Sequence, residues 1–192
     1  GKNSHPHEIA SGLQWLAANV NPDGGWGDTI RSKSNISTTA LCWAAFGACR
    51  ADERFRSVVD NAATWLGRRS GNLSELPRAI ADRYGKDRTF SVPILMTLAI
   101  SGRLGPEGWR KVPALPFELA VVPRRFYGAL RFPVVSYALP ALIAIGQAIH
   151  HHAPSRNPAA RVLRIASRAR TLGLLAELQP SDGGFLEATP LT

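Results

Sequence analysis

The stretch Asn21-Pro-Asp-Gly-Gly-Trp-Gly-Asp28 constrains this chain more than any other, because one apolar helical pattern runs into it and another leaves it. A second copy stands near the far end, Gln179-Pro-Ser-Asp-Gly-Gly-Phe185. Each copy has the same parts. Pro22 or Pro180 blocks continuation of the preceding helix, Asp23 or Asp182 offers an acceptor to the turn, and Gly24-Gly25 or Gly183-Gly184 supply positive φ. The closing aromatic, Trp26 or Phe185, can then fold back over the helix end. One such copy is an ordinary helix-turn-helix loop; two, each after an amphipathic helix, predict an all-α array of repeated helix pairs.

A chain of 192 residues, 45% hydrophobic and 19% charged, can bury one real core and is not disordered. Lys and Arg number 23 against 14 Asp and Glu, a net charge of +9, so the surface attracts anions. Nucleic acid, anionic lipid and simple solubility all fit that charge. Cys42 and Cys49 form no Cys-x-x-Cys site and read as free core thiols of a reducing, cytoplasmic compartment. The amino terminus, Gly1-Lys-Asn-Ser-His-Pro-His, has no apolar stretch of the secretory kind. Gly1 stands where a starting methionine would, as after a cleaved tag or in an excised segment.

Periodicity predicts a first helix from about Glu8 to Val20, with Ile9, Leu13, Leu16 and Val20 on one stripe. After the turn, Thr29 to Asn35 is a polar link, Ser37 or a neighbour caps a second helix, and Leu41, Ala44, Ala45 and Ala48 form its buried side. Asp52-Glu53 then opens a third helix, with Phe55, Val58, Val59, Ala62 and Leu66 facing inward and Arg68-Arg69 closing it. A short helix carrying Leu76 and Ile80 lies between Asn72 and Asp87, and Thr89 to Ser101 reads as a buried helix with Pro93 in its first turn.

From Gly105 to Pro133, prolines break any long element, while Trp109, Phe117, Phe126, Tyr127 and Phe132 interleave with Arg110, Lys111, Arg124, Arg125 and Arg131. Such alternation can bind RNA or single-stranded DNA, can sit at a membrane interface, or can be a connection packed on helices with its arginines in water. No RNA-binding signature accompanies it, which argues against nucleic acid as a partner. Phe132 to Ile149 contains no charge, yet Pro133, Pro140, Gly146 and Gln147 favour a core helix over a membrane span. His150, His151 and His152 point in different directions on a helix, a poor metal site, so no metal or other cofactor is expected. The last helix, from about Pro158 to Leu178, puts Arg161, Arg164 and Arg168 on one face and Val162, Ile165, Ala166 and Ala169 on another. That is the pattern of an ordinary surface helix, or of one with a lipid-binding face.

Taken together, these residues resemble the squalene–hopene and related triterpene cyclases, whose glycine-aromatic turn is called the QW motif. The two turns carry the likeness, with Asp87-Arg-Thr-Phe90, Trp109-Arg-Lys-Val-Pro-Ala-Leu-Pro-Phe-Glu118, Val135-Ser-Tyr137 and Gly183-Gly-Phe-Leu-Glu-Ala-Thr-Pro190, in family order over nearly the whole chain. The resemblance implies an α/α toroid, with inner and outer rings of helices tied by the turns. It implies one toroid segment over 1–192, completed by the rest of a longer parent chain. Two departures bear on the turns: Val20 stands where the motif has glutamine, and Gln179 keeps the glutamine but Phe185 replaces tryptophan. The first turn must therefore be held by packing and backbone.

Family cyclases protonate a terminal alkene with the middle acid of Asp-x-Asp-Asp and stabilise the carbocations on aromatic faces. Neither that motif nor a magnesium-binding Asp-Asp-x-x-Asp occurs, so the chain alone is expected to be inactive, whatever isomerase activity the parent has. The resemblance implies an apolar polyprenyl or triterpenoid lipid as ligand, drawn from a membrane whose anionic headgroups suit the positive charge. It places Phe90 and Tyr137 at the substrate cavity, where simple core packing is the competing reading. Ala138 takes the place of a tryptophan and Pro140 that of an arginine, which would widen the cavity. A second reading is a non-catalytic α/α scaffold that binds a lipid or a partner protein, favoured by Val20, Ala138 and the missing acids. A third, the protein prenyltransferase β-subunit, needs an Asp/Cys/His zinc site for which neither cysteine has partners.

Overall fold

The computed structural model describes residues 5–85, 88–121, 139–181 and 183, with the backbone alone at 89, and every regular element among them is helical. The chain divides into two compact units, Gly1–Val112 and Pro113–Thr192. No helix among the described residues is long and apolar enough to cross a membrane.

Unit 1 is built on its second helix. The first, α1 (Pro6–Ala18), opens with proline in its first turn and buries Leu13. In α2 (Ile36–Ala48) the Asn35 side chain accepts from the Thr38 amide, so the cap is Asn35 and not Ser37. Ser37, Thr39, Ala40, Trp43, Ala44 and Phe46 are buried, whereas Leu41 and Ala48 of the expected inward side are exposed. The reason is that α2 is contacted by α1, by α3 (Arg56–Ser70) and by α5 (Arg88–Ile100), so it has no single inner stripe.

Val59, Ala62, Trp65 and Leu66 form the buried face of α3, which ends at Gly71 with φ +88. A short 3-10 turn, Leu73–Glu75, leads into α4 (Leu76–Tyr84), whose Leu76 and Ile80 are buried. In α5, Val92, Ile94, Leu95, Leu98 and Ala99 are buried, and Pro93 lies inside the helix, one turn later than its expected place in the first turn.

Asp52 and Glu53 lie in the turn before α3 and are not its first residues. Glu53 pairs with Arg56 on the surface. Asp52 meets the Arg103 guanidinium end on, with Nη1 and Nη2 at 2.8 and 2.7 Å from its two oxygens. Arg103 also donates twice to the Trp43 carbonyl, at 3.1 and 2.9 Å, and lies 4.4 Å over the Trp43 ring. One side chain just beyond α5 thereby joins α2 to the loop before α3. Neither cysteine is the buried core thiol expected: Cys49 is exposed, and Cys42 is half-buried, its thiol pushed up to about 11 by burial.

In unit 2, a 3-10 helix (Phe117–Val121), α6 (Leu139–His152) and α7 (Pro158–Leu178) pack together. Ile143, Ile145 and Ile149 of α6 are buried. Gly146 lets α6 close on the fully buried Phe117; a Cβ there would lie 2.9 Å from the Phe117 Cβ. Asn157 caps α7 by accepting from the Ala159 and Ala160 amides. The apolar face of α7 points outward, and of the three arginines Arg164 alone turns inward, Arg161 and Arg168 staying exposed. Arg164, Ser167 and Thr171 are buried, while Val162, Leu163, Ile165 and Leu172 are exposed. The cause is polar: Arg164 Nε donates to Glu118 at 3.0 Å, and Gln147 of α6 donates to Thr171 Oγ1 at 2.7 Å.

Removing the Arg103 fork takes two side-chain donors from the Trp43 carbonyl and leaves Asp52 without its guanidinium partner. Arg103→Ala should cost about 2–3 kcal/mol in urea unfolding, and Arg103→Lys should recover less than half of that, because an ammonium cannot reproduce the planar fork.

Candidate functional site

The loop between α1 and α2 is a clasp held by backbone and side-chain hydrogen bonds. Asn21 N donates to the Gly25 carbonyl and Gly24 N to the Asn21 carbonyl, both at 2.9 Å. Gly24 has φ +88, a conformation costly for other residues. Gly25 is needed for space rather than for φ, since a Cβ there would lie 2.8 Å from the Ser34 Cβ and 2.9 Å from Thr39 Oγ1. Trp26 is 4% exposed, and its indole N–H donates at 3.0 Å to the Leu16 carbonyl at the end of α1, which also accepts the Asn19 amide at 3.3 Å. Its backbone N–H donates to Thr39 Oγ1 at 2.9 Å, and its carbonyl accepts from the Asn35 amide at 2.9 Å.

Asp23 carries the clasp to a third helix. Its Oδ1 accepts from Ser34 at 2.6 Å and from the Gly25 amide at 3.1 Å, and its Oδ2 accepts from the Trp65 indole at 3.0 Å. Burial pushes the Asp23 carboxyl up, but the hydrogen bonds from Ser34, Gly25 and Trp65 together hold it below the ordinary value. Asp28 is held low too, by hydrogen bonds from Thr38 and Asn35 at 2.6 and 2.8 Å.

Phe90, in the first turn of α5, is 57% exposed, so it is not a core residue. Its ring lies 5.8 Å from Tyr84 in a stacked arrangement, and the Tyr84 hydroxyl is 2.8 Å from Ser37 Oγ on α2. The two rings make a surface platform anchored on the central helix. Elsewhere in unit 1 a cleft of about 220 Å³ is lined by Trp43, Asp52, Arg56, Asp60 and Arg103. It is charged, unlike the apolar hollow that a hydrocarbon ligand needs.

In unit 2, Gln179 follows the end of α7 and donates to the Gly183 carbonyl at 2.8 Å, and Gly183 has φ +81. Tyr137, Ala138, Asp182, Gly184 and Phe185 lie outside the described residues. His150 packs 6.1 Å from Phe117, and its Nδ1 is buried without a partner among the described residues. Burial first, then Arg164, lower its pKa. Among the described residues no group of His, Cys, Asp and Glu could hold a metal ion.

The residues brought together here that sequence reasoning passed over are Trp65, Thr39, Tyr84 and Arg103. Trp65 had a signal, since it continues the helical spacing of Val58 and Ala62. Thr39, Tyr84 and Arg103 had none, because their partners lie 13, 47, and 51 and 60 residues away.

Because Asp23 and Asp28 have lowered folded values, their contribution is present above 3.8 and is lost as pH falls through those values. Emission from the tryptophans, all five of which belong to unit 1, should therefore report falling stability below 3.8. Asp23→Ala should flatten that slope and, by freeing the buried Trp65 donor, cost about 1–2 kcal/mol at neutral pH. Comparison with protein-family models, with curated proteins and with solved structures finds no match for this chain.

Proposed function

We propose that the chain is a non-catalytic segment of a lipid-handling protein of the triterpene-cyclase type, its helices forming part of an α/α toroid and its ligand a polyprenyl or triterpenoid lipid. The observation that carries this reading is Phe90. In a helix whose other large side chains are mostly buried, this ring is 57% exposed and is held in place by Tyr84, itself tied to Ser37. A fixed aromatic pair offers an isoprenoid chain apolar area with little loss of side-chain freedom. The clasp supports the same reading: Trp26 seals the end of α1, while Asp23 ties the turn to α3, a task the family gives to a glutamine-tryptophan contact.

Protonating an alkene requires a carboxylic acid kept neutral by its surroundings. Asp23 and Asp28 are biased towards the ionised form instead, and Asp52 is engaged by Arg103. These acids suit a structural role, and the resemblance assigns the reacting acid to another part of a longer parent.

Incubation of the chain with squalene should yield no cyclic product, and a fluorescent polyprenyl analogue should bind with an affinity that Phe90→Ala lowers about fivefold. Turnover by the chain alone would show the assignment of the acid to be wrong. An analogue that does not bind, or binds Phe90→Ala equally well, would leave the partner-protein scaffold as the better reading.

A further inference from the structure

The helix α7 is turned inside out, and its outward side is unusually uniform. At about 3.6 residues per turn, Val162, Ile165, Ala166, Ala169, Leu172, Gly173 and Ala176 share roughly a third of its circumference. All are exposed, Val162 at 67% and Ile165 at 59%. This apolar strip runs about 21 Å at ~1.5 Å per residue. Exposed arginines border it on both sides, Arg161 and Arg168 along one edge and Arg170 along the other. The only acid in the helix is Glu177, near its end. The opposite side is already occupied, because Arg164, Ser167 and Thr171 are buried and hydrogen-bonded within unit 2.

We propose that this outward face of α7 docks on an anionic lipid bilayer, with its apolar strip at the headgroup boundary and Arg161, Arg168 and Arg170 on the surrounding phosphates. Two features favour a bilayer over a protein partner. The strip carries no aromatic side chain and is mostly Ala, Gly and Val, whereas protein docking sites concentrate their affinity in aromatic anchors set in pockets. A cationic border on both edges of a continuous apolar strip is what a helix lying in a headgroup layer requires, since arginine stems stay along the apolar zone while the guanidinium groups reach lipid phosphate. The proposal is independent of the isoprenoid reading, as it uses neither Phe90 nor a cavity.

Flotation of the full chain with vesicles of phosphatidylglycerol and phosphatidylcholine should carry it upward at low salt, whereas phosphatidylcholine alone should not. Val162→Asp with Ile165→Asp should abolish flotation with an unchanged melting curve, because both sites are exposed. Replacing Arg161 and Arg168 by Gln should weaken binding about fivefold for each. To fix the face directly, Ile165→Cys in a Cys42→Ser, Cys49→Ser background, labelled with an environment-sensitive dye, should shift to the blue on adding anionic vesicles. No flotation at low salt, flotation that survives the Asp pair, or a dye that does not respond would overturn the proposal. Concentration-dependent dimers abolished by the Asp pair, without vesicle binding, would overturn it in favour of a second copy of the chain.

Discussion

The carboxylate of Asp23 is the constraint on which unit 1 depends. Its two oxygens accept from a serine of the same loop, from the backbone of the turn and from an indole on α3. A turn of small residues has too little apolar surface to hold three helices by burial alone, so the hydrogen bonds define its shape. The indole of Trp26 adds bulk on one side and donates to the Leu16 carbonyl at the end of α1, which otherwise has only the 3.3 Å bond from the Asn19 amide. Thr39 then binds both the amide and the carbonyl of Trp26 from α2. Bonds within the loop fix its shape, and three others reach α1, α2 and α3 in turn, which is why the loop can act as a joint between them.

Unit 2 is organised by a different interaction. Arg164 and Glu118 are both nearly buried, at 11% and 10% side-chain exposure, and the Arg164 guanidinium lies 5.9 Å from the Phe117 ring. A buried ion pair adds little net stability but penalises every arrangement that separates its charges. That penalty decides which side of α7 faces inward. Burying the valine and isoleucine side instead would place Glu118 against hydrocarbon with no cation to answer it.

Much of the helical layout was legible in the residues, and the reasons differ by element. The limits of α7 could be read because Asn157-Pro158 is an unambiguous start and the Gln179-Pro180 pair an unambiguous stop. The turn at Asn21 was legible because proline and glycine act locally. Which way the helices face was less so. In α2 the periodic signal is weak because three neighbours surround it, and in α7 the signal is clear but points the wrong way, since a buried arginine outweighs an apolar stripe only when a glutamate far off in sequence is close in space. Asp52 was read as a helix-start charge for the same reason: its partner Arg103 is 51 residues later, and no local rule reaches that distance. Of the candidate site, the clasp residues Asp23 and Trp26 could be named in advance, whereas the Tyr84–Phe90 platform depends on a contact between Tyr84 and Ser37 that only the fold creates.

The Arg103 fork also sets an order of events for a chain emerging from the ribosome. Its acceptors, Asp52 and the Trp43 carbonyl, precede it by 51 and 60 residues. Until Arg103 is free to return to them this latch is open, and closing so long a loop carries an entropic cost that local helix formation does not. Helices α1 to α4 and the Asp23 clasp can form early, but the Arg103 fork closes only when the residues just past α5 arrive.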